Sequence, residues 1–224
     1  MWLKEGPAEY SSHLFIELKD GHEEFVDLVK DNQKFVLEEC HIQDEGFHAL
    51  SPMPDEQIYG RTTYYKGASI HHNLRAYLGD EIYRSACQSV ISTHFDSHMD
   101  ADVFRQTLED VTSLDLDPFF DAQIYQPGFS TWLIDSTITT IGDGGDGFET
   151  TLYLNQKLRA CSIFHHNEPL DITLWNASWD TTLIAVRVGG EYDLVTISHP
   201  EPFILIALNA DGKLNQGRLD HTVA

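Results

Sequence analysis

The chain has 224 residues, of which 42 % are hydrophobic and 22 % are charged. This composition is typical of a globular protein with one large or two small domains, and it excludes an intrinsically disordered chain. The 36 acidic residues outnumber the 14 basic ones and give a formal net charge of −22, which argues against nucleic acid as a partner.

Neither a membrane span nor a disulfide framework is expected from the sequence. No apolar run is long enough to cross a bilayer, so we expect no membrane partner. The first residues, MWLKEGPAEY, place charges and a proline where a signal peptide needs an apolar core. The cysteines are far apart and odd in number, so disulfide pairing is not expected. A cytoplasmic and an exported location both stay open.

Residues 1–132 show the apolar spacing that is typical of helices, with stop and cap signals between the helical segments. Two prolines predict a loop over residues 41–56, because proline interrupts regular helix. Asp100 or Asp102 is predicted to cap a helix that runs to about residue 111. The other predicted helices cover residues 2–19, 22–40, 59–78, 80–94 and 116–125.

The predicted helix over residues 59–78 opens with two tyrosines, Tyr59 and Tyr64. Gly79 is suited to the left-handed position that ends a helix. A buried helix that begins with a tyrosine holds the phenol rigidly at the floor of a cleft. Spacings of three and four place Ala68, His71 or His72, Leu74 or Arg75, and Leu78 on one stripe of this helix.

Residues 133–224 show short segments rich in Val, Ile, Leu and Thr, separated by turn residues. This pattern predicts a small antiparallel β-sandwich that begins near residues 130–134. The loop GDGGDG at 142–147 lacks the calcium-binding EF-hand pattern and is predicted to be a hairpin turn. The expected fold class is therefore α+β, with an all-helical layer over 1–132 followed by the sandwich over 133–224.

Three segments of the helical part resemble the aminopeptidase N-like zinc metallopeptidases, the gluzincins of peptidase family M1. WLKEGPAEY at 2–10 is similar to the family's Trp-Leu-x-Glu-Gly-x-Ala-x-Tyr. YYKGASIHHNLRAYLGDE at 64–81 is similar to its Tyr-x-Lys-Gly-Ala segment with the following Leu-Arg and Leu-Gly-Asp. DPFFDAQIYQPG at 117–128 is similar to its Phe-Phe-x-x-Trp-x-x-x-Pro-Gly. The three segments occur in the family's order.

The resemblance implies roles for three residues. Glu5 matches the glutamate that supplies the third zinc ligand, after two histidines of an upstream H-E-x-x-H helix. Tyr64 matches the tyrosine that donates a hydrogen bond to the tetrahedral oxyanion. Tyr59 is similar to a second tyrosine near the site in part of the family. The activity implied is hydrolysis of peptide bonds by metal-activated water, with a peptide as substrate.

The sequence contains no H-E-x-x-H. His22-Glu23 begins such a motif, but Val26 stands where the second histidine belongs, and His94 and His98 lack the intervening glutamate. Adjacent histidines, as at 71–72 and 165–166, point in different directions and do not face one metal from a regular element. We therefore expect the carboxyl-terminal portion of a longer enzyme, with zinc in the full-length protein and an isolated chain that holds no tightly bound zinc and is inactive.

An alternative of a different class is a non-catalytic binding or assembly module on the same scaffold. Helices that pack against another half in the full enzyme leave an exposed apolar face in the isolated chain, and such faces drive self-association. This interpretation predicts a homo-oligomer through the exposed helical face.

Overall fold

The computed structural model describes residues 1–142, 147–214 and 222–223, and places a layer of helices before two antiparallel sheets. The predicted α+β class is therefore confirmed. Residues 143–146 of the predicted GDGGDG turn lie outside the described residues. No helix among the described residues is long and apolar enough to cross a membrane.

The helices lie close to their predicted positions. Asp100 is the cap of its helix, because its Oδ1 accepts a hydrogen bond from the Val103 amide at 2.9 Å. Two π-helical turns were not predicted, and each joins an α-helix. In chain order the elements are α1 (Trp2–Asp20), α2 (His22–Phe35), a π-helix (Val36–Cys40), α3 (His41–Gln43), a 3-10 turn (Asp55–Gln57), a second π-helix (Thr62–Lys66), α4 (Gly67–Leu78), α5 (Asp80–Thr93), α6 (Ala101–Thr112) and α7 (Asp117–Gln123).

Helix α4 is the centre of the helical layer, and α1 packs directly across its first turn. All of its residues from Gly67 to Leu74 are buried. The crossing is close because two glycines meet there: a Cβ on Gly6 would lie 2.8 Å from the backbone of Gly67. A side chain at either position would force the two helices apart. The contact therefore fixes the first turn of α1 beside the end of the second π-helix.

The strands follow without further helices among the described residues. They form a three-stranded sheet of order β1-β2-β5 and a second sheet of order β4-β3-β6-β7, with antiparallel pairing throughout. β1 begins at Phe129, slightly before the predicted start at 133, and the division into two domains stays a prediction. The strands are β1 (Phe129–Ile141), β2 (Phe148–Arg159), β3 (Glu168–Asn176), β4 (Thr181–Val188), β5 (Tyr192–His199), β6 (Phe203–Leu208) and β7 (Thr222–Val223).

The two sheets bury their inner faces in one shared cluster, which is separate from the core of the helical layer. Alternation of inward apolar and outward polar residues along the strands produces this arrangement. Its most buried members, from both sheets, include Trp132, Leu152, Leu154, Leu170, Ile172 and Ile206.

Specific hydrogen bonds attach the sheets to the helical layer. The Tyr77 hydroxyl at the end of α4 donates to the His166 carbonyl at 2.7 Å, and Arg187 Nη2 donates to the Tyr77 carbonyl at 2.9 Å. Gln123 at the end of α7 donates to the buried Glu168 carboxylate at 3.3 Å. The two Tyr77 contacts hold α4 at its carboxyl-terminal end, while α1 packs on its amino-terminal end.

Candidate functional site

Glu5 lies in the first turn of α1, next to the close contact between the two helices. Successive residues of an α-helix are rotated by about 100°, so Glu5 and Pro7 lie on opposite sides of Gly6, which faces Gly67. The Glu5 side chain is only 14 % exposed, and its Oε1 lies 3.0 Å from the ammonium of the exposed Lys4. The carboxylate is thus held beside α4 with one oxygen paired to a cation.

Tyr64 lies in the π-helical turn, three residues before Gly67, and its side chain is partly buried. A π-turn adds a residue to the helical repeat and reorients the side chains around it, and such turns recur at functional sites. Tyr59 precedes this turn and is 60 % exposed. The helix therefore begins after Tyr59, whereas the prediction had it begin at Tyr59. Tyr64 lies within the helical backbone.

The Lys4 ammonium is the positive charge beside the Glu5 carboxylate. The pKa of Lys4 is raised mainly by its hydrogen bond to Glu5 and further by the Glu5 charge, with smaller electrostatic contributions from Tyr59 and Tyr64. The chemical roles of Glu5, Tyr59 and Tyr64 stay predictions.

Asp44 holds the start of the helix that carries Tyr64. Its carboxylate is buried at 2 % exposure and accepts hydrogen bonds from the amides of Arg61 at 2.7 Å and Thr62 at 2.6 Å. The first amides of a helix lack partners within the helix, so a carboxylate there satisfies two of them and interacts favourably with the helix dipole. No local pattern indicates this role, because the partners lie 17 and 18 residues further along the chain.

Replacing Asp44 with asparagine is expected to lower the free energy of unfolding by about 1–3 kcal/mol, because one of two charge-assisted hydrogen bonds is lost in a buried place. The measurement is urea unfolding of the chain followed by circular dichroism. Asp100→Asn is the matched control, since Asp100 is an exposed cap on a helix that does not carry Tyr64, and it should cost less. Equal losses in the two variants would contradict the role given to Asp44.

His71 and His72 are buried within α4, and each has a hydrogen-bond partner outside that helix. His71 Nδ1 pairs with the Tyr83 hydroxyl at 3.0 Å, and His72 Nε2 lies 2.7 Å from the Gly212 carbonyl. His71 also lines a cavity of about 560 Å³ between α1 and α5. Pro7 lines the same cavity, so it lies on the other side of α1 from Glu5.

The other histidine pairs lie outside the Glu5 site. His94 follows the last turn of α5 and pairs with the Thr107 hydroxyl at 2.8 Å, and His98 is exposed beyond it. His165 is buried beneath the sheets and bonds the Glu168 carboxylate at 2.7 Å. His22 is largely exposed at the start of α2. Among the described residues, none of these histidines joins Glu5 in a cluster with metal-ligand spacing.

Glu5 is chemically suited to zinc, because carboxylate oxygens are common zinc ligands. The described residues supply one ligand at this position, which is one of the several ligands that a zinc ion needs. One other group of possible ligands is found in the described part of the chain, at Glu109, Asp115 and Asp117. Arg105 forms an ion pair with Asp117 there, and the two aspartates are exposed, as surface carboxylates usually are.

Comparison with known proteins gives a family and a fold. A family model described as "Peptidase family M1 domain" matches residues 1–123. No curated protein matches the chain. A crystal structure of Legionella pneumophila aminopeptidase A in complex with aspartic acid is similar, with a TM-score of 0.72 and 14 % sequence identity. That similarity covers 100 % of this chain and 24 % of the Legionella chain, so this chain spans about a quarter of its neighbour.

Proposed function

Because this chain belongs to peptidase family M1, we propose that it is a portion of a zinc-dependent, aminopeptidase-like metallopeptidase that hydrolyses peptides. The observation that supports this most is the close contact of Gly6 with Gly67, because Glu5 precedes Gly6 by one residue and Tyr64 precedes Gly67 by three. A carboxylate can hold a metal and a phenol can donate a hydrogen bond to an oxyanion, so the two side chains suit one hydrolytic site. Peptide is the proposed substrate.

Glu5 is the proposed zinc ligand supplied by this chain. Its carboxylate is mostly buried, and its backbone is fixed by the tight helix crossing one residue later. A ligand on a rigid helix needs little reorganisation when the metal binds. Zinc, when bound, supplies polarisation of the peptide carbonyl and a water of lowered pKa at neutral pH.

Tyr64 is the proposed oxyanion donor. A phenol is neutral at pH 7 and donates one hydrogen bond from a rigid ring. Asp44 fixes the start of the π-turn and the Gly67 contact fixes its end, so the ring is carried on backbone held at both ends. A donor placed before the reaction stabilises developing charge without paying for reorientation during it. Tyr59, which is exposed and lies before the helix, is proposed as an auxiliary contact to the substrate.

Glu5→Gln in the full-length protein is expected to lower zinc affinity by about tenfold or more, since even partners of metal ligands contribute this much. Metal analysis after dialysis and hydrolysis of an amino-acid p-nitroanilide measure the two consequences. Glu9→Gln is the matched control, one turn further along α1. A Glu5→Gln protein that keeps stoichiometric zinc and full activity would contradict the proposed function. The chain alone should hold no stoichiometric zinc and show no hydrolysis.

A second candidate function, a non-catalytic assembly module, is favoured by one feature of the helical layer. The cavity between α1 and α5 is lined mostly by apolar side chains, and exposed apolar residues lie on the same two helices. Exposed patches of this kind mark surfaces that associate. These residues are Phe15, Leu18, Ile82 and Ile91.

The exposed helical face is expected to make the isolated chain a dimer or a larger species. Light scattering should then give a mass at least twice the 25.4 kDa of the chain. Leu18→Glu, at a side chain that is 86 % exposed, should shift the protein towards monomer. Trp179→Glu, on the sheets and 66 % exposed, is the control that should leave the mass unchanged. A wild-type chain that stays monomeric at all concentrations contradicts this expectation.

A further inference from the structure

The cavity between α1 and α5 has no part in the proposed peptide hydrolysis. Its volume of about 560 Å³ lies within the range of small-molecule sites. Residues of α1 and α5 form most of its lining, α4 contributes His71 and Arg75, and Met99 and Phe104 complete it. We propose that this cavity binds a small, uncharged, mainly apolar molecule whose single polar group forms a hydrogen bond with His71. The inference requires neither zinc nor peptidase activity.

The lining of the cavity suits a ligand with an apolar body. The lining residues of α1 from Leu3 to Leu14 recur at spacings of three and four, which places them on one side of the helix. Val90 of α5, together with Met99 and Phe104, adds further apolar surface. An apolar ligand is favoured in such a cavity, because the ligand and the side chains that it contacts are both removed from water.

His71 supplies the lining with a buried hydrogen-bonding atom that has no partner. The residue is 3 % exposed, and its Nδ1 pairs with the Tyr83 hydroxyl at 3.0 Å. Its Nε2 is buried and forms no hydrogen bond within the part of the chain that the structure describes. A buried polar atom without a partner costs free energy, which a hydrogen bond to a ligand recovers. A ligand hydroxyl suits either tautomer of the ring, because it can both donate and accept.

The charged side chains in the lining already pair with one another. Arg75 pairs with Glu17 at 2.6 Å and with Asp80 at 2.8 Å. Arg84 pairs with Glu81 at 3.0 Å. Three carboxylates against two guanidinium groups leave no excess positive charge for an anionic ligand. An uncharged polar group is therefore favoured over a carboxylate, whose burial without a free cation is costly.

Isothermal titration calorimetry of the chain with three matched probes tests the inference. We expect para-propylphenol to bind as one molecule per chain. Its affinity should exceed that of propylbenzene, which lacks the hydroxyl, by about two- to tenfold, the usual net gain from one hydrogen bond. Para-propylbenzoate, which has a similar apolar body but carries a negative charge, should show no measurable binding.

Two neighbouring serines of α1 provide a matched pair of variants that locates the binding. Ser11 lines the cavity and is exposed, so Ser11→Phe should obstruct it and weaken para-propylphenol binding by about tenfold or more. Ser12 is also exposed but does not belong to the lining, so Ser12→Phe should bind as the wild type does. Each hydroxyl donates to a carbonyl of the preceding turn at 2.7 Å, so the two substitutions remove similar contacts from the helix.

Three results would overturn the inference. The first is that none of the probes binds, as expected if a second copy or another protein segment fills the cavity. The second is equal affinity of Ser11→Phe and Ser12→Phe for para-propylphenol, because the ligand then binds elsewhere. The third is that the wild type binds propylbenzene or para-propylbenzoate at least as tightly as para-propylphenol, which excludes the hydrogen bond to His71.

Discussion

Tyr64→Phe in the full-length protein is expected to lower kcat by about 10²–10³-fold, the usual effect of removing one oxyanion donor. The substitution removes a single oxygen from a partly buried ring on the helix whose first amides are held by Asp44. Because the donor acts on charge that develops in the transition state, KM should change little and kcat/KM should fall with kcat. Steady-state hydrolysis of an amino-acid p-nitroanilide measures both constants.

Tyr65→Phe is the matched control for this prediction. Tyr65 is adjacent on the same π-turn, but its ring packs against Phe35 at 4.3 Å between centroids. Its hydroxyl should contribute little to kcat, and Tyr59→Phe should have a smaller effect than Tyr64→Phe. The proposal for Tyr64 is wrong if Tyr64→Phe and Tyr65→Phe have equal activities while both variants keep their zinc.

Acid is expected to unfold the chain through the two buried histidines of α4. Burial lowers the pKa of His71 to about 4 and that of His72 to about 4, from 6.5 in an exposed residue. The unfolded chain therefore takes up protons between pH 6.5 and 4 that the native chain does not accept. Stability is fully present above pH 6.5 and is lost as pH falls towards 4, by about 3 kcal/mol for each histidine.

The loss predicted for both histidines together is comparable to the whole stability of a typical domain. The urea midpoint of the chain should fall steeply between pH 7 and pH 4.5. Burial is the main cause of the lowered pKa of His72. Nearby Arg75 and His13 lower this pKa further, whereas the hydrogen bond to the Gly212 carbonyl raises it.

His72→Gln removes one of the two titrations and should flatten this pH dependence by up to about 3 kcal/mol, even where it lowers stability at pH 7. His22→Gln is the control, because His22 is 68 % exposed. If the urea midpoints of the wild type and of His72→Gln fall in parallel with pH, buried His72 is not a cause of the acid sensitivity.

The elements of the fold were predictable because their signals are local. Apolar spacing and cap residues locate the helices, as the Asp100 cap shows, and runs of β-branched residues between turns locate the strands. The class α+β follows from the order of the two patterns. The π-turn at Thr62–Lys66 was not predicted, because its extra residue is accommodated by tertiary contacts that have no periodic signature.

The site was predictable in part, and by resemblance more than by pattern. Glu5 and Tyr64 were identified from matching motifs, and the structure adds that the glycines of these motifs, Gly6 and Gly67, are in contact. Neither glycine has the positive φ that favours glycine, so nothing in the local sequence indicates that Gly6 and Gly67 touch each other. Asp44 and the pairing of Lys4 with Glu5 were missed, because one depends on a distant segment and the other resembles any exposed ion pair.

A crystal structure of the full-length protein, with anomalous diffraction recorded at the zinc edge, tests the central claim most directly. We expect a zinc peak within bonding distance of a Glu5 carboxylate oxygen, with the Tyr64 hydroxyl facing the same space. A zinc peak elsewhere, or side chains of Glu5 and Tyr64 that open onto different faces of the helical layer, would contradict the account.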